Sequence, residues 1–308
     1  LYWETIMFER LGVVTNCWQA VLDQGDRFED LVTRFCRDGF KEIEIRDGEY
    51  LRRSPFGRLM DIIDKAMTHY DPGTWQKMCE CLRRGEDCRS LVRDEDLRAL
   101  GAAEVFFTQT AEAVYSYAIS FQWLTRPEDR SADDRRIATA VKLAYLFNPS
   151  QPRLRLVSLE PVDAIDPETA ASNLKRYTTL VPACPVTLAV ENALYPAPVM
   201  LKLARDGNVL LAYDEANNYL IDGTALNTPE EFWQSAGIED LASVHLKQKT
   251  DQGVLARLED GFVDIPALVG RLRDGGYSGD LLLEYKATED PLEDAIQSRA
   301  YLFEHFAG

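Results

Sequence analysis

Histidine and positive charge are both scarce in this sequence. The 308 residues contain three histidines, and 34 lysines and arginines stand against 51 aspartates and glutamates, which gives a formal net charge of −17. A surface of this sign repels the phosphate backbone of a nucleic acid, because nonspecific affinity depends on cationic contacts that release counterions. We therefore expect neither DNA nor RNA as a substrate or partner.

Long apolar runs and closely spaced cysteines are missing as well. No run approaches the roughly 20 apolar residues that cross a bilayer, and the start LYWETIMFERLG lacks the basic and apolar regions of a signal peptide. The six cysteines are spread along the chain, and Cys79, Cys81 and Cys88 lack the paired C-x2-C spacing of a structural zinc site. These absences predict a cytoplasmic protein with reduced cysteines, no membrane partner and no zinc at the cysteines.

A further absence concerns the fold. The sequence has no G-x-G-x-x-G or P-loop motif, which a doubly wound nucleotide-binding sheet normally carries after its first strand. Instead, short β-branched runs alternate with longer amphipathic segments, as in repeated βα units. The runs predicted as strands are 11–16, 41–46, 113–121, 153–160, 185–192, 208–215, 242–247 and 280–286. This order predicts an α/β fold, a (β/α)8 TIM barrel that spans 1–308 as a single domain.

The segments between the runs carry helix signals. Asp166 with Pro167, and Asp264 with Pro266, occupy the N-cap and first-turn positions of two predicted helices. The stretch 50–110 is mainly helical and longer than a single βα connection. We therefore predict a helical insertion between strands 2 and 3, over the barrel mouth or at an interface.

Polar residues end four consecutive predicted strands. The active sites of TIM barrels lie at the carboxyl ends of the strands, and there the sequence places Glu191, Asp214, His245 and Glu284. Each carboxylate follows a largely apolar run, where an unpaired charge would cost several kcal/mol to bury. No arginine lies within these strand ends, so a divalent cation is the simpler partner for three carboxylates and one imidazole. Three oxygen donors and one nitrogen favour Mn²⁺ or Mg²⁺ over Co²⁺ or Zn²⁺.

The order of these residues resembles that of the xylose isomerase-like TIM barrel superfamily, in particular its sugar-phosphate isomerase/epimerase group. The motifs that carry the resemblance are GFKEIEIR, VEN, LAYDEAN, VHLK and LLEY. By this resemblance the four residues bind the metal, and Glu191 and Glu284 are also catalytic, facing the substrate from opposite sides. The chemistry implied is removal of a proton from a carbon next to a carbonyl group, with the metal stabilising the enediolate and a glutamate as the base.

Three positions depart from the pattern of the family's ketose epimerases. Where those enzymes have a histidine after the aspartate, an arginine after the histidine ligand and a glutamate after the first glutamate, this sequence has Asn217, Asp251 and Ala197. The resemblance therefore favours a keto-sugar or 3-keto-glycoside as substrate. It also favours β-elimination as the outcome, as in inosose dehydratase-like enzymes and the α subunits of C-glycoside deglycosidases.

Other functions stay open at this point. One is an aldose–ketose isomerase or ketose epimerase that holds its substrate with other residues. Another is a non-catalytic barrel subunit that recruits a partner through the 50–110 segment. Phosphodiesterase chemistry on abasic DNA would need more histidines and a basic surface. We expect an oligomer, with a second small subunit as one form that it could take.

Further residues are candidates for substrate contacts. Lys247 follows His245 by two positions and should share its face of the strand, where it either acts on a substrate oxygen as a catalytic residue or pairs with the acidic ring. The substrate-binding candidates, each with packing or a salt bridge as the alternative, are Trp18, Glu44, Tyr117, Trp123, Glu160 and Lys286. His69 and His305 are not assigned to the site.

Overall fold

The centre of the structure is a closed barrel of eight parallel strands. The computed structural model describes residues 10–121, 124–125, 130–259 and 261–306. The barrel strands are β1 Leu11–Val14, β2 Glu42–Asp47, β3 Val114–Phe121, β4 Arg153–Ser158, β5 Thr187–Glu191, β6 Leu210–Asp214, β7 Leu241–Leu246 and β10 Asp280–Leu283. A hairpin of β8 Lys249–Thr250 and β9 Gly253–Val254 follows β7. Each predicted strand overlaps one of the barrel strands, and the predicted (β/α)8 fold is confirmed.

The strands are joined by helices on the outside of the barrel. The α-helices are α1 Gln19–Gln24, α2 Phe28–Arg37, α3 Glu49–Arg53, α4 Pro55–Met67, α5 Pro72–Arg84, α6 Leu97–Gln109, α7 Arg130–Phe147, α8 Pro167–Tyr177, α9 Ala197–Asp206, α10 Pro229–Trp233, α11 Ile265–Asp274 and α12 Pro291–Phe306. Short 3-10 helices lie at Thr15–Trp18, Arg89–Leu91, Asp94–Asp96, Val162–Ala164, Glu215–Asn218 and Ile238–Asp240.

Two helices begin where the sequence predicts. The Asp166 side chain accepts a hydrogen bond from the backbone N–H of Thr169 at the start of α8, and Asp264 accepts one from Ala267 at the start of α11. A side-chain oxygen at this position satisfies a backbone N–H that has no partner within the helix. The caps therefore fix the points at which the chain turns back toward the next strand.

The segment predicted as an insertion, 50–110, contains most of α3 and all of α4, α5 and α6. Phe56 of α4 stacks on Phe28 of α2 with ring centroids 3.9 Å apart. Trp75 of α5 donates from its indole nitrogen to the carbonyl of Lys142 in α7 at 3.0 Å. These buried contacts make the segment part of the helical layer beside β2 and β3.

The barrel interior is more charged than the usual apolar filling of this architecture. On β2 and β4 every second residue faces inward, and these residues form ion pairs in layers. Near the amino ends of the strands, Arg153 pairs with Asp280 and lies 3.1 Å from Glu42. One layer closer to the carboxyl ends, Arg155 pairs with Glu44 at 2.5 Å. This second layer forms the floor of the candidate site.

Two further observations concern the expected reduced cysteines and the expected lack of a membrane span. All six cysteines are free thiols. Across the described ranges, no helix combines the length and the apolar character that a membrane crossing requires.

Candidate metal centre and active site

Four potential metal ligands meet at the carboxyl ends of neighbouring strands. Glu191 ends β5, Asp214 ends β6, His245 is the next to last residue of β7, and Glu284 directly follows β10. These strands are consecutive around the barrel, and Asp214 is paired in register with His245. One donor atom from each residue lies within 4.8 Å of the other three, and all four side chains are buried. The predicted ligand set therefore forms a single cluster.

Four buried ligand atoms of this cluster make no hydrogen bond of good geometry among the described residues: Asp214 Oδ2, both ring nitrogens of His245, and Glu284 Oε2. Their charged neighbours are one another and Lys247, since His245 Nδ1 lies 3.2 Å from Glu284 Oε2 and the ammonium group of Lys247 pairs with Asp214 Oδ2. Buried polar atoms in native proteins are almost always hydrogen-bonded, so a group of ligand atoms that face one another in this way can share a cation as a further partner. Three carboxylate oxygens and one imidazole nitrogen suit a hard or borderline divalent cation. The residues present therefore fit a metal ion.

Asparagines hold two further carboxylate oxygens of the cluster and the backbone of Asp214. Asn16 donates to Glu284 Oε1 at 2.8 Å, and Asn217 donates to Glu191 Oε1 at 3.0 Å. Asn192 bonds both backbone groups of Asp214, donating to its carbonyl and accepting from its N–H. Such outer contacts orient metal ligands before the ion binds.

Arg155 corrects part of the sequence argument. Because no arginine lies within the four strand ends, a cation from solution was expected to compensate the acidic ring by itself. Arg155 comes from the middle of β4, however, and its guanidinium pairs with Glu191 Oε2 as well as with Glu44. All three side chains are buried, so part of the ring's charge is compensated from below by the protein. Asp214 and Glu284 do not contact this arginine through any ion pair among the described residues.

Lys247 lies on the same side of β7 as His245, as the spacing of two predicts. Its ammonium group pairs with Asp214 Oδ2 and lies 3.6 Å from Glu284 Oε2. Burial lowers the pKa of Lys247, but Asp214, Glu284 and Glu191 raise it more, so the pKa lies above its ordinary value and the lysine is charged at neutral pH. Pairing with the acidic ring is thus what the structure shows for Lys247.

The two glutamates of the cluster are ionised at neutral pH. Burial raises the pKa of Glu191, but the positive charges of Arg155, His245 and Lys247 together outweigh it, and the pKa lies below its usual value. For Glu284, the charge of Lys247 and the contact with His245 overcome burial and hold the pKa well below the usual range. Ionised carboxylates can bind a cation and can accept a proton, which are the two properties that the predicted chemistry needs.

A cavity of about 450 Å³ opens beside this cluster. Lys247 and Glu284 form part of its wall and connect it to the candidate metal centre. Other polar residues that line it are Asn16, Arg46, Ser120 and Lys286. The cavity is large enough for a small carbohydrate.

Three solved structures show what this architecture is similar to. A xylose isomerase-like TIM barrel protein from Mycobacterium smegmatis, in complex with magnesium, is 11% identical with a TM-score of 0.59, and 96% of each chain is covered. A D-allulose 3-epimerase from Methylomonas sp. is 12% identical with a TM-score of 0.61, and covers 96% of this chain and 98% of its own. A 3-keto-D-glucoside 4-epimerase from E. coli is 13% identical with a TM-score of 0.55, covering 96% and 99%. No protein-family model matches the chain, and no curated protein sequence matches it.

The chain has the fold of the xylose isomerase-like TIM barrels. At 11% to 13% identity the likeness concerns the fold. It confirms the fold that the resemblance of the strand-end motifs implies.

Within this xylose isomerase-like barrel, one of the charged residues predicted to bind substrate lines the cavity, and two others lie in contacts within the protein. Lys286 lines the cavity, and Glu44 lies beneath the cluster, paired with Arg155. Glu160 is buried and accepts hydrogen bonds from the backbone N–H groups of Leu124 and Thr125, at 2.8 and 3.1 Å. Glu44 is thus in a salt bridge, which was its alternative to binding substrate, whereas Glu160 binds the backbone of a neighbouring segment.

Two of the aromatic residues predicted to contact substrate pack against helices in this structure. Trp18 is fully buried, and its ring lies 5.4 Å from that of Phe28 and 4.9 Å from that of Phe35. Tyr117 lies on the outer face of β3 and stacks on Phe147 of α7, 6.0 Å away. Both belong to the packing between barrel and helices. Trp123 lies outside the described residues.

The three positions that depart from the ketose epimerase pattern lie in different parts of the structure. Asn217 contacts Glu191 in the site. Ala197 begins α9, where its backbone N–H donates to the side chains of Asn218 and Asn227. Asp251 lies exposed in the turn between β8 and β9. Only Asn217 of the three therefore contacts a predicted ligand.

Sequence reasoning missed Asn16, Arg46 and Arg155. The signal for Arg155 was the alternation in RLRLVS, and that for Arg46 was the alternation in EIEIRD, since each puts every second side chain on one face. The predicted inward position of Glu44 already implied that Arg46 shares its face. For Asn16, which lies in a 3-10 turn after β1, the sequence carries no comparable signal.

Proposed function

We propose that this protein is a divalent-metal-dependent carbohydrate isomerase or epimerase that removes a proton from a carbon next to a carbonyl group. The observation that carries the proposal is the buried cluster of Glu191, Asp214, His245 and Glu284, whose potential ligand atoms converge beside an open cavity. The fold shared with a D-allulose 3-epimerase and a 3-keto-D-glucoside 4-epimerase supports carbohydrate as the substrate class.

The proposed roles follow from the contacts of each side chain. Glu284 lines the cavity, and its Oε2 faces His245 and Lys247 at 3.2 and 3.6 Å, so it can bind the ion or accept a proton beside them. Both oxygens of Glu191 are held, by Arg155 and Asn217, which fixes this carboxylate in one orientation. The charged Lys247 reaches the cavity wall and can donate to a substrate oxygen. A divalent ion at this centre would stabilise negative charge on a substrate oxygen while the carbon is deprotonated.

Mg²⁺ and Mn²⁺ are the ions we propose first. The donor set contains no thiolate, and oxygen-rich sites suit these ions. The similar barrel from Mycobacterium smegmatis was solved in complex with magnesium. Co²⁺ and Zn²⁺ are the next candidates.

The fate of the abstracted proton separates the candidate reactions. Return of the proton to a carbon gives isomerisation or epimerisation. Loss of a substituent next to the carbanion gives β-elimination, which the departures from the ketose epimerase pattern at Asn217, Asp251 and Ala197 favour and which stays a prediction. A keto-glycoside remains the proposed substrate for that outcome. In either case, a cytoplasmic, oligomeric enzyme is what we expect.

The first half of the proposal is tested by metal analysis. We expect purified wild type to bind one divalent ion per chain when dialysed against Mg²⁺ or Mn²⁺, as measured by inductively coupled plasma mass spectrometry. Glu191→Gln and His245→Ala should lower the bound metal, because each removes a ligand, whereas Glu304→Gln on the exposed surface of α12 should not. Wild type that retains no divalent ion would show that the cluster is not a metal centre.

The second half is tested by exchange of carbon-bound hydrogen. We expect the metal-loaded protein to incorporate deuterium from D₂O into ketoses or keto-glycosides next to the carbonyl group, as followed by NMR. Products of unchanged mass apart from deuterium indicate isomerisation or epimerisation, and release of water or an aglycone indicates elimination. A protein that binds metal and yet exchanges no hydrogen across such a panel would favour the non-catalytic barrel subunit instead.

A further inference from the structure

Two cationic side chains line the cavity without an acidic partner. Arg46 at the end of β2 and Lys286 after β10 both form part of the cavity wall. Neither makes an ion pair with any carboxylate of the described residues, although Glu42 and Glu44 on the same face of β2 are each paired with an arginine. In a chain with a formal net charge of −17, acidic partners are abundant. Two unpaired cations at one cavity are therefore unexpected on structural grounds alone.

The acidic residues of the cavity wall do not compensate these charges. Asp47 receives two hydrogen bonds from Arg52, at 3.0 and 2.7 Å, so its charge is already balanced on the side away from the cavity. Glu284 has Lys247 at 3.6 Å and Asn16 at 2.8 Å. The wall next to the candidate metal centre thus keeps an excess of positive charge from Arg46 and Lys286.

Arg46 is held in place before any ligand binds. Its backbone N–H donates to Thr15 at 3.0 Å, and its carbonyl accepts from the hydroxyl of Tyr50 at 2.8 Å. One terminal nitrogen of the guanidinium donates to Ser120 at 3.3 Å, while the buried Nε has no hydrogen-bond partner. A guanidinium in a fixed position with unused donors is suited to bind a carboxylate or a phosphate with two parallel hydrogen bonds.

We propose that the substrate carries an anionic group, a carboxylate or a phosphate, which Arg46 and Lys286 bind at the cavity mouth. This inference rests on the proposed function for the carbohydrate part of the substrate. The carbonyl end would lie toward Glu284 and Lys247, and the anionic end toward Arg46. The two cations would thereby set which end of the molecule meets the metal centre.

Isothermal titration calorimetry with three probes tests the proposal. The whole chain, with Mg²⁺ present, is titrated with D-fructose, D-fructose 6-phosphate and 5-keto-D-gluconate, which are neutral, phosphorylated and carboxylated ketoses. We expect at least one anionic probe to bind about tenfold or more tightly than D-fructose. The comparison of the two anionic probes distinguishes phosphate from carboxylate recognition. Added NaCl should weaken the binding of the anionic probe and leave the binding of D-fructose unchanged.

Substitutions assign the preference to the two cations. Arg46→Gln should reduce the preference for the anionic probe to about that of a neutral one, Arg46→Lys should restore part of it, and Lys286→Gln should lower it severalfold. Lys202→Gln is the matched control, because Lys202 is exposed on α9 and pairs with Asp206. Thermal unfolding of each variant checks its folding. If Arg46→Gln does not fold, Lys286→Gln and the salt dependence decide the question.

Several results would overturn the inference. Wild type that binds all three probes equally, or that keeps its preference in Arg46→Gln and Lys286→Gln, has no anion site at these residues. The proposed function fails by different results. A protein that prefers the anionic probe through Arg46 but neither retains a divalent ion nor exchanges deuterium keeps the anion site and loses the proposed reaction. If the protein exchanges deuterium equally into D-fructose and both anionic ketoses, the proposed reaction is kept and the anion site is lost.

Discussion

Arg155 lies between two buried carboxylates, Glu44 and Glu191, and its single positive charge pairs with both of them. Removing one partner of a buried ion pair leaves a charge without compensation, which costs about 3–5 kcal/mol. We therefore expect Arg155→Met to lower the free energy of unfolding by about this amount, as measured by urea denaturation of the metal-free protein at neutral pH. Arg205→Met is the comparison, because Arg205 is 48% exposed in its pair with Asp240, and an exposed pair contributes about 1 kcal/mol or less.

A second variant separates charge compensation from packing at Arg155. Arg155→Met combined with Glu44→Gln removes one of the two uncompensated charges and should recover part of the lost stability. If Arg155→Met alone is as stable as wild type, the buried pair is not what neutralises this layer. If the double variant is no more stable than the single one, the loss comes from the missing guanidinium contacts instead.

The four residues of the cluster could be predicted from the sequence to lie together, whereas the alternation around Arg155 did not decide which face of its strand points into the barrel. Glu191 and Glu284 each follow a run of apolar residues, so a charge there stands out against its strand. Arg155 lies in a strand whose polar and apolar residues alternate, which is also the pattern of a strand with one face in solvent. Alternation gives the two faces of a strand, but which face looks into the barrel depends on strands far away in the sequence.

At the scale of a strand, this ambiguity explains why Arg46 and Arg155 were missed and why Tyr117 was expected at the substrate. On β2 the polar face, Glu42, Glu44 and Arg46, looks inward, and the apolar face packs on the helices. On β3 the same rule puts Ser116 and Ser120 inside and the large Tyr117 outside. Tyr117 was expected at the substrate because it is an aromatic residue in a strand, but Ser116 and Ser120 face the interior, so Tyr117 faces the helices. One residue of shift reverses the orientation of every side chain.

The layer of ion pairs at the amino end of β2 makes the stability depend on pH. Burial and the nearby Asp280 raise the pKa of Glu42 above its ordinary value, although Arg153 opposes the shift. Burial likewise raises the pKa of Asp280. With a raised pKa, the folded protein holds its proton more tightly than the unfolded chain does. The contribution to stability is therefore complete below the ordinary carboxyl pKa and is lost as the pH rises through the folded pKa.

Glu42→Gln should remove part of this dependence. Glutamine keeps an oxygen that can accept from Arg153 and has no proton to lose. We expect the free energy of unfolding of Glu42→Gln, relative to wild type, to increase as the pH is raised from about 4 to about 7. Urea denaturation across this range, with EDTA present, measures it, and Glu304→Gln on the surface serves as control. A difference that stays constant or decreases with pH would mean that folding does not raise the pKa of Glu42.

For the whole molecule, barrel closure brings together residues that are distant in sequence. The eight runs and their order could be predicted because each βα unit is local, and that order alone makes the ligand-bearing strands neighbours around the barrel. The cavity wall was harder to predict. It combines the turn after β1, the end of β2, β3 and the segment after β10, so its charge is a property of the closed barrel and not of any one segment.

A cation that binds β5, β6, β7 and the end of β10 should stabilise the barrel as a whole, because the unfolded chain has no such site. Binding to the folded state alone stabilises it by about 2.7 kcal/mol when the free ion is at about 100 times its dissociation constant. For a chain of this size, we expect Mg²⁺ or Mn²⁺ to raise the midpoint of thermal unfolding by several degrees, and EDTA to reverse the shift. Asp214→Asn should abolish the shift, since it replaces a buried carboxylate of the four-residue cluster with a neutral amide, whereas Glu304→Gln should keep it. A shift of equal size in wild type and Asp214→Asn would place the ion elsewhere on this acidic protein, and no shift with either ion would count against the metal centre.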